Sequence, residues 1–148
     1  MPYGQIRTMD GGCPTLTCNT IGRHQSSIVR TRVCTNKSPW LLETQVGEIF
    51  SVPVSHGEGR FLASEDVLKE LAANGQIATQ YVDLSGAPSM DTAFNPNGSL
   101  WAIEGITSPD GRVLGKMGHS ERVGRELYKN VEGNYDMGLF RSAARYFR

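Results

Sequence analysis

IEGITSPDGRVLGKMGHSER, residues 103–122, is the stretch that decides how this chain folds. Leu100 to Thr107 and Arg112 to Met117 are short runs of strand length on either side of Ser108-Pro109-Asp110-Gly111. A Pro-Asp-Gly sequence between two such runs is typical of a hairpin turn. The stretch therefore predicts a β-hairpin whose second strand leads directly into Gly118 and His119.

His119 and Glu121 follow this second strand at a spacing of i and i+2. In extended backbone, that spacing places two side chains on the same side. A carboxylate there can accept a hydrogen bond from one imidazole nitrogen and leave the other free to act as a base. We therefore take His119 and Glu121 as candidate catalytic residues. The alternative is a surface histidine beside a solvated Glu121–Arg122 pair.

Composition limits the classes of function. The 148 residues carry 15 Lys and Arg against 15 Asp and Glu, so the formal net charge is zero. This balance argues against a nucleic-acid partner, which a basic excess would favour. No apolar run approaches the ~20 residues of a membrane span, and the first residues show no secretory leader pattern. We therefore expect a cytoplasmic protein with no membrane association.

Cys13, Cys18 and Cys34 form no CxxC pair, and their odd number does not support a disulfide framework. None stands in the Gly-x-Cys-x-Gly setting of an activated nucleophile. We therefore expect three buried, structural cysteines. The alternative is a thiol enzyme in which Cys13 or Cys18 lies beside His119. The histidines and cysteines also lack the spacing of metal ligands, so we expect no metal site.

The rest of the chain is rich in short strands, with few helices. We predict that a loop over residues 1–14 precedes a hairpin or a pair of adjacent strands, and that Pro53 marks either an edge strand or the exit from a strand. Ser64 has the features of a helix N-cap, and Asn74-Gly75 the features of a helix end. The predicted strands are Thr15 to Ile21, Ser26 to Cys34, Glu48 to Val54 and Gln76 to Leu84, and an amphipathic helix spans Met137 to Arg148.

Ser55 and His56 lie in a glycine-bearing loop, Ser55 to Arg60, directly after one of these strands. Polar residues at the end of a buried strand are candidates for contacting a substrate. The alternative for His56 is a turn residue that bonds to backbone groups.

Several segments, in this order, closely resemble the glutaminase domain of the phosphoribosylformylglycinamidine synthase family of purine biosynthesis. The three most specific are Pro53 to Phe61, Asn95 to Ser99 and Ile103 to Arg122, and Asn19 to Ser26 and Asn36 to Trp40 agree with them. The resemblance covers almost the whole chain. It implies an α/β fold of the class I glutamine amidotransferase type, a flavodoxin-like three-layer sandwich.

The resemblance also implies roles. His119 matches the histidine and Glu121 the carboxylate of the family's Cys-His-Glu triad, and Ser55 and His56 become candidate substrate-binding residues. The family uses its cysteine to release ammonia from glutamine. The ammonia passes to a synthetase domain that uses ATP and magnesium to amidate formylglycinamide ribonucleotide. No cofactor is implied for this chain itself.

The sequence departs from the family in two respects. His119-Ser120-Glu121 replaces the frequent His-Pro-Glu, and the cysteine-bearing nucleophile elbow matches a region upstream of Met1. We therefore expect residues 1–148 to form the C-terminal portion of a glutaminase domain that is inactive alone. Because an incomplete sandwich exposes strand edges, we expect it either to self-associate or to have a rearranged sheet. The alternative function is a non-catalytic module that binds a synthetase partner or itself.

Overall fold

A computed structural model describes residues 13–148, so most of the loop expected over residues 1–14 lies outside the described residues. The described part contains short strands, two α-helices and 3₁₀ turns at Pro39–Leu41 and Leu100–Ala102. The strands are β1 (Thr15–Thr17), β2 (Gln25–Val33), β3 (Ile49–His56), β4 (Arg60–Leu62), β5 (Ile77–Tyr81), β6 (Ile103–Thr107) and β7 (Leu114–Lys116), and the helices are α1 (Glu65–Ala73) and α2 (Leu139–Tyr146).

Five strands form one curled sheet in the order β3-β2-β5-β6-β7, and all neighbours in it are antiparallel. The predicted hairpin is confirmed, because β6 and β7 pair with Ile106 opposite Gly115. In its turn the Gly111 N–H donates to the Ser108 carbonyl at 2.9 Å. Gly111 has a φ of 72°, a conformation that glycine adopts without steric cost.

β3 is an edge strand, which is one of the two alternatives that Pro53 indicated. The chain beyond β7 returns along this edge. The His119 N–H donates to the Pro53 carbonyl at 2.8 Å, and the Ser51 N–H donates to the Asn134 carbonyl at 2.7 Å. This return places His119 next to the end of β3.

The expectation that the first two strands are adjacent is wrong. β1 pairs with β4 in a separate two-stranded sheet, whereas β2 pairs with β3 and β5. Asn19 explains the separation, because its backbone N–H donates to the Gly57 carbonyl at 3.0 Å and its side-chain amide to the His56 carbonyl at 2.6 Å. These bonds tie the connection to the β3–β4 turn.

The helices form where the sequence predicts them. The Ser64 hydroxyl accepts the Val67 N–H at 3.4 Å, which caps α1, and Gly75 follows its end with a φ of 65°. α2 buries Leu139 and Ala143, but Phe140 remains 60% exposed. The predicted amphipathic helix is therefore buried only in part, because it packs mainly through the Met137 and Leu139 end against Leu41.

The core of the sheet is apolar, with Val29, Val52, Val54 and Tyr81 in one cluster and Phe61, Leu68 and Ile103 in another. Within residues 13–148, no helix combines the length and apolar character needed to cross a membrane.

Candidate functional site

His119 and Glu121 form a hydrogen-bonded pair. The Nδ1 of His119 lies 2.7 Å from Oε1 of Glu121, and since a carboxylate only accepts, the imidazole donates. Burial alone would raise the pKa of Glu121, but its own backbone N–H and the His119 ring hold that pKa below the usual value. An ionised Glu121 fixes the ring orientation and requires a hydrogen on Nδ1 of His119.

The other ring nitrogen of His119 is left as an unused acceptor. Nε2 is buried and has no hydrogen-bond partner among the described residues. A buried polar atom without a partner is costly and needs an explanation, of which a catalytic role is one. With the hydrogen on Nδ1, Nε2 carries the lone pair that a general base requires.

His56 stacks against His119, although 63 positions separate them in sequence. The two ring centroids are 4.9 Å apart, and the planes differ by 16°. The His56 Nε2–H donates to the Met117 carbonyl, which holds the ring in place. Burial lowers the pKa of His56; the Met117 carbonyl opposes this shift, and the neighbouring His119 ring adds to it. His56 is therefore a neutral ring at the side of the candidate base.

The Ser55 side chain does not lie beside His119 as that of His56 does. Successive side chains of a strand point to opposite faces, and the Ser55 hydroxyl lies 3.0 Å from Nε2 of His24. Ser55 instead lines a cavity of about 230 Å³ together with Arg122 and Tyr128. The structure thus brings His56, but not Ser55, to the His119–Glu121 pair.

Glu104 lies next to the backbone that leads into His119. Its side chain is fully buried on β6, and its Oε1 accepts the Gly118 N–H at 2.6 Å and contacts Nζ of Lys116 at 3.0 Å. The Thr79 hydroxyl donates to the other carboxylate oxygen. Burial would raise the pKa of Glu104, but Lys116, Thr79 and the Gly118 N–H together hold it below the usual value. Glu104 is therefore an ionised carboxylate inside the protein.

Two cavities flank this arrangement. One, of about 330 Å³, is lined by His119, Glu121 and Lys116 together with Trp40 and Phe140. The other, of about 370 Å³, is mainly apolar and lies beside β6 and β7. The residues lining the apolar cavity include Leu16, Phe61, Ile103, Ile106 and Met117.

The cysteines do not complete a nucleophilic site in the described residues, because Nε2 of His119 has no partner there. The expectation that all three are buried is wrong. Cys18 is exposed and its sulfur lies 3.9 Å from a Glu58 oxygen, because the chain leaves β1 before that position. Cys34 is half-buried against Gln80, and burial raises its pKa. Within residues 13–148, no cluster of three or more Asp, Glu, His and Cys could hold a metal.

The family follows from comparison with known domains. The model of the CobB/CobQ-like glutamine amidotransferase domain matches residues 1–147. This chain belongs to that family. Its relatives include the phosphoribosylformylglycinamidine synthase subunits PurQ of Synechocystis, 42% identical over 71% of this chain, and of Thermus thermophilus, 37% identical over 87%.

The fold agrees with a solved member. The structure of PurLQS from Thermotoga maritima superimposes with a TM-score of 0.68 at 26% identity and covers 92% of this chain. The predicted α/β class and the family resemblance are therefore confirmed. The match covers 54% of the Thermotoga chain, and 46% and 52% of the two PurQ subunits. This chain thus spans about half the length of these relatives.

Sequence reasoning missed Glu104, Lys116 and Thr79. A signal was present, because Glu104 stands inside the apolar strand Ile103–Thr107. A charged residue in a buried strand requires a charged or hydrogen-bonding partner. The strand pattern alone does not name that partner, which lies on a neighbouring strand.

Proposed function

We propose that this chain supplies the histidine and carboxylate of a glutamine-hydrolysing site. His119 acts as general base and acid, Glu121 orients it, and His56 contacts the substrate beside it. The observation that carries this proposal is the His119 ring itself, bonded to Glu121 through Nδ1 and carrying an unpartnered Nε2. Membership in a glutamine amidotransferase family supports glutamine as the substrate.

The chemistry requires a cysteine thiol facing Nε2. His119 takes the thiol proton while the sulfur attacks the side-chain amide carbon of glutamine. The tetrahedral intermediate collapses, the C–N bond breaks, and His119 returns the proton to the departing ammonia. Water, deprotonated by the same nitrogen, then hydrolyses the thioester to glutamate and restores the thiol. Glu121 stabilises the imidazolium that forms in each half-reaction.

We further propose that this site belongs to a phosphoribosylformylglycinamidine synthase, because the relatives at 37% to 42% identity carry that name. In this assignment ammonia goes to a synthetase partner that uses ATP and magnesium to amidate formylglycinamide ribonucleotide. The partner assignment is supported by a structural relative that is itself a PurLQS assembly.

The isolated chain is proposed to lack glutaminase activity, because no described group bonds to Nε2 of His119 as an attacking thiol would. Glutamate release from glutamine at high protein concentration tests this. No turnover above a heat-treated sample is expected. Turnover that disappears in His119→Ala would overturn the proposal of inactivity.

A chimaera tests the roles of the two triad residues. The matched residues of this chain replace the aligned segment of the Thermus thermophilus PurQ subunit, which supplies the remaining half. In an active chimaera, His119→Ala should lower kcat by on the order of 10⁴- to 10⁶-fold, and Glu121→Gln by about 10²- to 10⁴-fold. His24→Ala, at an exposed histidine away from the pair, is the control. Full activity of His119→Ala would refute the assignment.

The second candidate function is association through the sheet. Among the described residues, β7 has a strand on one side only, and the apolar cavity lies beside it. Leu16 lines that cavity and is 52% exposed. We propose that a second copy covers this edge. Light scattering should show an oligomer that Leu16→Asp dissociates and Leu84→Asp, at an exposed leucine outside the cavity lining, leaves intact. A monomeric wild type would exclude the proposal.

A further inference from the structure

Glu104 makes a connection that the proposed chemistry does not use. Its Oε1 binds the backbone N–H of Gly118 at 2.6 Å, one residue before His119. The next N–H, of His119, donates to the Pro53 carbonyl at 2.8 Å. Two consecutive peptide groups are thus held from two different strands, one by a side chain of β6 and one by the backbone of β3.

Gly118 fits this clamp because it has no side chain. A Cβ at Gly118 would lie 2.6 Å from both methyl groups of Val52 and 2.8 Å from Oε1 of Glu104. The backbone therefore lies in direct contact with Val52 on one side and the carboxylate on another. These contacts leave Gly118 little room to move toward either neighbour.

The charge of Glu104 is not explained by stability alone. Lys116, whose side chain is 9% exposed, neutralises it at 3.0 Å. A buried ion pair costs desolvation, and an apolar pair of similar volume is often as stable or more stable. A carboxylate does offer what an apolar residue lacks, a strong acceptor for the Gly118 N–H.

We propose that Glu104 is a positioning residue for His119, acting through the Gly118 N–H. This inference rests on the proposed function, in which His119 is the base. Glu104 holds the His119 backbone so that Nε2 stays in its buried position and Nδ1 stays on Glu121. A displacement of about 1 Å at such a group is enough to impair catalysis.

A matched pair of double variants isolates the acceptor. Glu104→Gln with Lys116→Met has no buried charge but keeps an amide oxygen for Gly118, whereas Glu104→Leu with Lys116→Met has no buried charge and no acceptor. The readout is the rate at which diethyl pyrocarbonate modifies His119, followed by peptide mass spectrometry relative to exposed His24. The NMR signal of the His119 Nδ1–H provides a second signature.

In the glutamine pair, the double variant Glu104→Gln with Lys116→Met, His119 should react at nearly the wild-type rate. The leucine pair, Glu104→Leu with Lys116→Met, should react about tenfold faster, as expected when the Gly118 N–H has no acceptor at position 104, and its Nδ1–H signal should broaden or shift. Circular dichroism confirms that both pairs are folded. Equal His119 rates in the two folded pairs would overturn the proposal, because a merely structural Glu104 would not distinguish them.

Hydrogen exchange in the wild type tests the same idea if the leucine pair does not fold. The Gly118 amide and the His119 ring should open together in low urea, before global unfolding. Modification of His119 while the Gly118 amide remains protected would refute the link. None of these readouts needs glutamine turnover, so their failure is distinct from failure of the glutaminase proposal.

Discussion

Two carboxylates bond to His119 or to the backbone next to it, one from an exposed position and one from a buried position. Glu121 is 56% exposed and bonds the His119 ring from two residues away, whereas the Glu104 side chain is completely buried and bonds the backbone just before it. The first orients a side chain, and the second holds the segment that carries it. Burial, more than nearness to the imidazole, is therefore expected to determine how much each carboxylate contributes to stability.

The largest expected effect comes from Glu104→Ala. It leaves the Lys116 ammonium buried without its partner, which should lower the free energy of unfolding by about 3–5 kcal/mol. Urea denaturation measures this, and Glu121→Ala is the matched control on the exposed carboxylate. If both variants lost the same small amount, the contrast between the two environments would be wrong.

Acid should destabilise the folded protein chiefly by protonating the buried Glu104. The folded protein lowers the pKa of Glu104 below its ordinary 4.5, so the unfolded chain binds more protons there and stability falls as pH falls through the folded pKa. His56, with its lowered pKa, adds a loss beginning near its ordinary 6.5. Thermal unfolding from pH 7 to about pH 3 should show a flatter acid limb in Glu104→Gln, with the loss near neutrality retained.

Gly118→Ala should have a smaller but still clear effect. The new Cβ would overlap both Val52 methyl groups, and overpacking of this kind costs about 1–3 kcal/mol. Gly115→Ala is the control, because a Cβ at Gly115 would meet nothing within 4 Å. Equal unfolding free energies for the two variants would show that the clamp on Gly118 is loose.

The smallest effect should come from Glu121→Gln. An exposed ion pair contributes less than about 1 kcal/mol, so urea denaturation of this chain should barely change. The His119 Nδ1–H signal should nevertheless shift, since its acceptor loses its charge. A large loss of stability would place Glu121 in the same class as Glu104 and remove the distinction between them.

Local signals in the sequence predicted what depends on neighbouring residues. The Ser64 cap, the Ser108–Gly111 turn and the His119–Glu121 bond each form within a few positions, so their residue types were sufficient evidence. The pairing of β1 with β4 was not predictable in this way. It depends on bonds from Asn19 to the turn after β3, about 40 positions away in sequence.

The candidate site also has some features that local sequence predicted and others that only the structure shows. His119 and Glu121 were identified from spacing and family resemblance. His56 was identified from a predicted place in the loop after a strand, although β3 extends through His56 itself. The other contacts join parts of the chain that are far apart in sequence. His56 stacks on His119, Ser55 bonds to His24, and Glu104 bonds to the Gly118 N–H. A side chain inside an apolar strand indicates that a partner is needed, but the sheet order determines which residue becomes that partner.

The sequence by itself therefore determined the family, the α/β class and the imidazole–carboxylate pair, because short-range geometry and ordered motifs are written along the chain. Only the tertiary structure decided which strands are neighbours, which ring stacks on His119 and which buried carboxylate bonds to the backbone next to it. These features depend on distances between residues far apart in sequence, and those distances exist only once the sheet has formed.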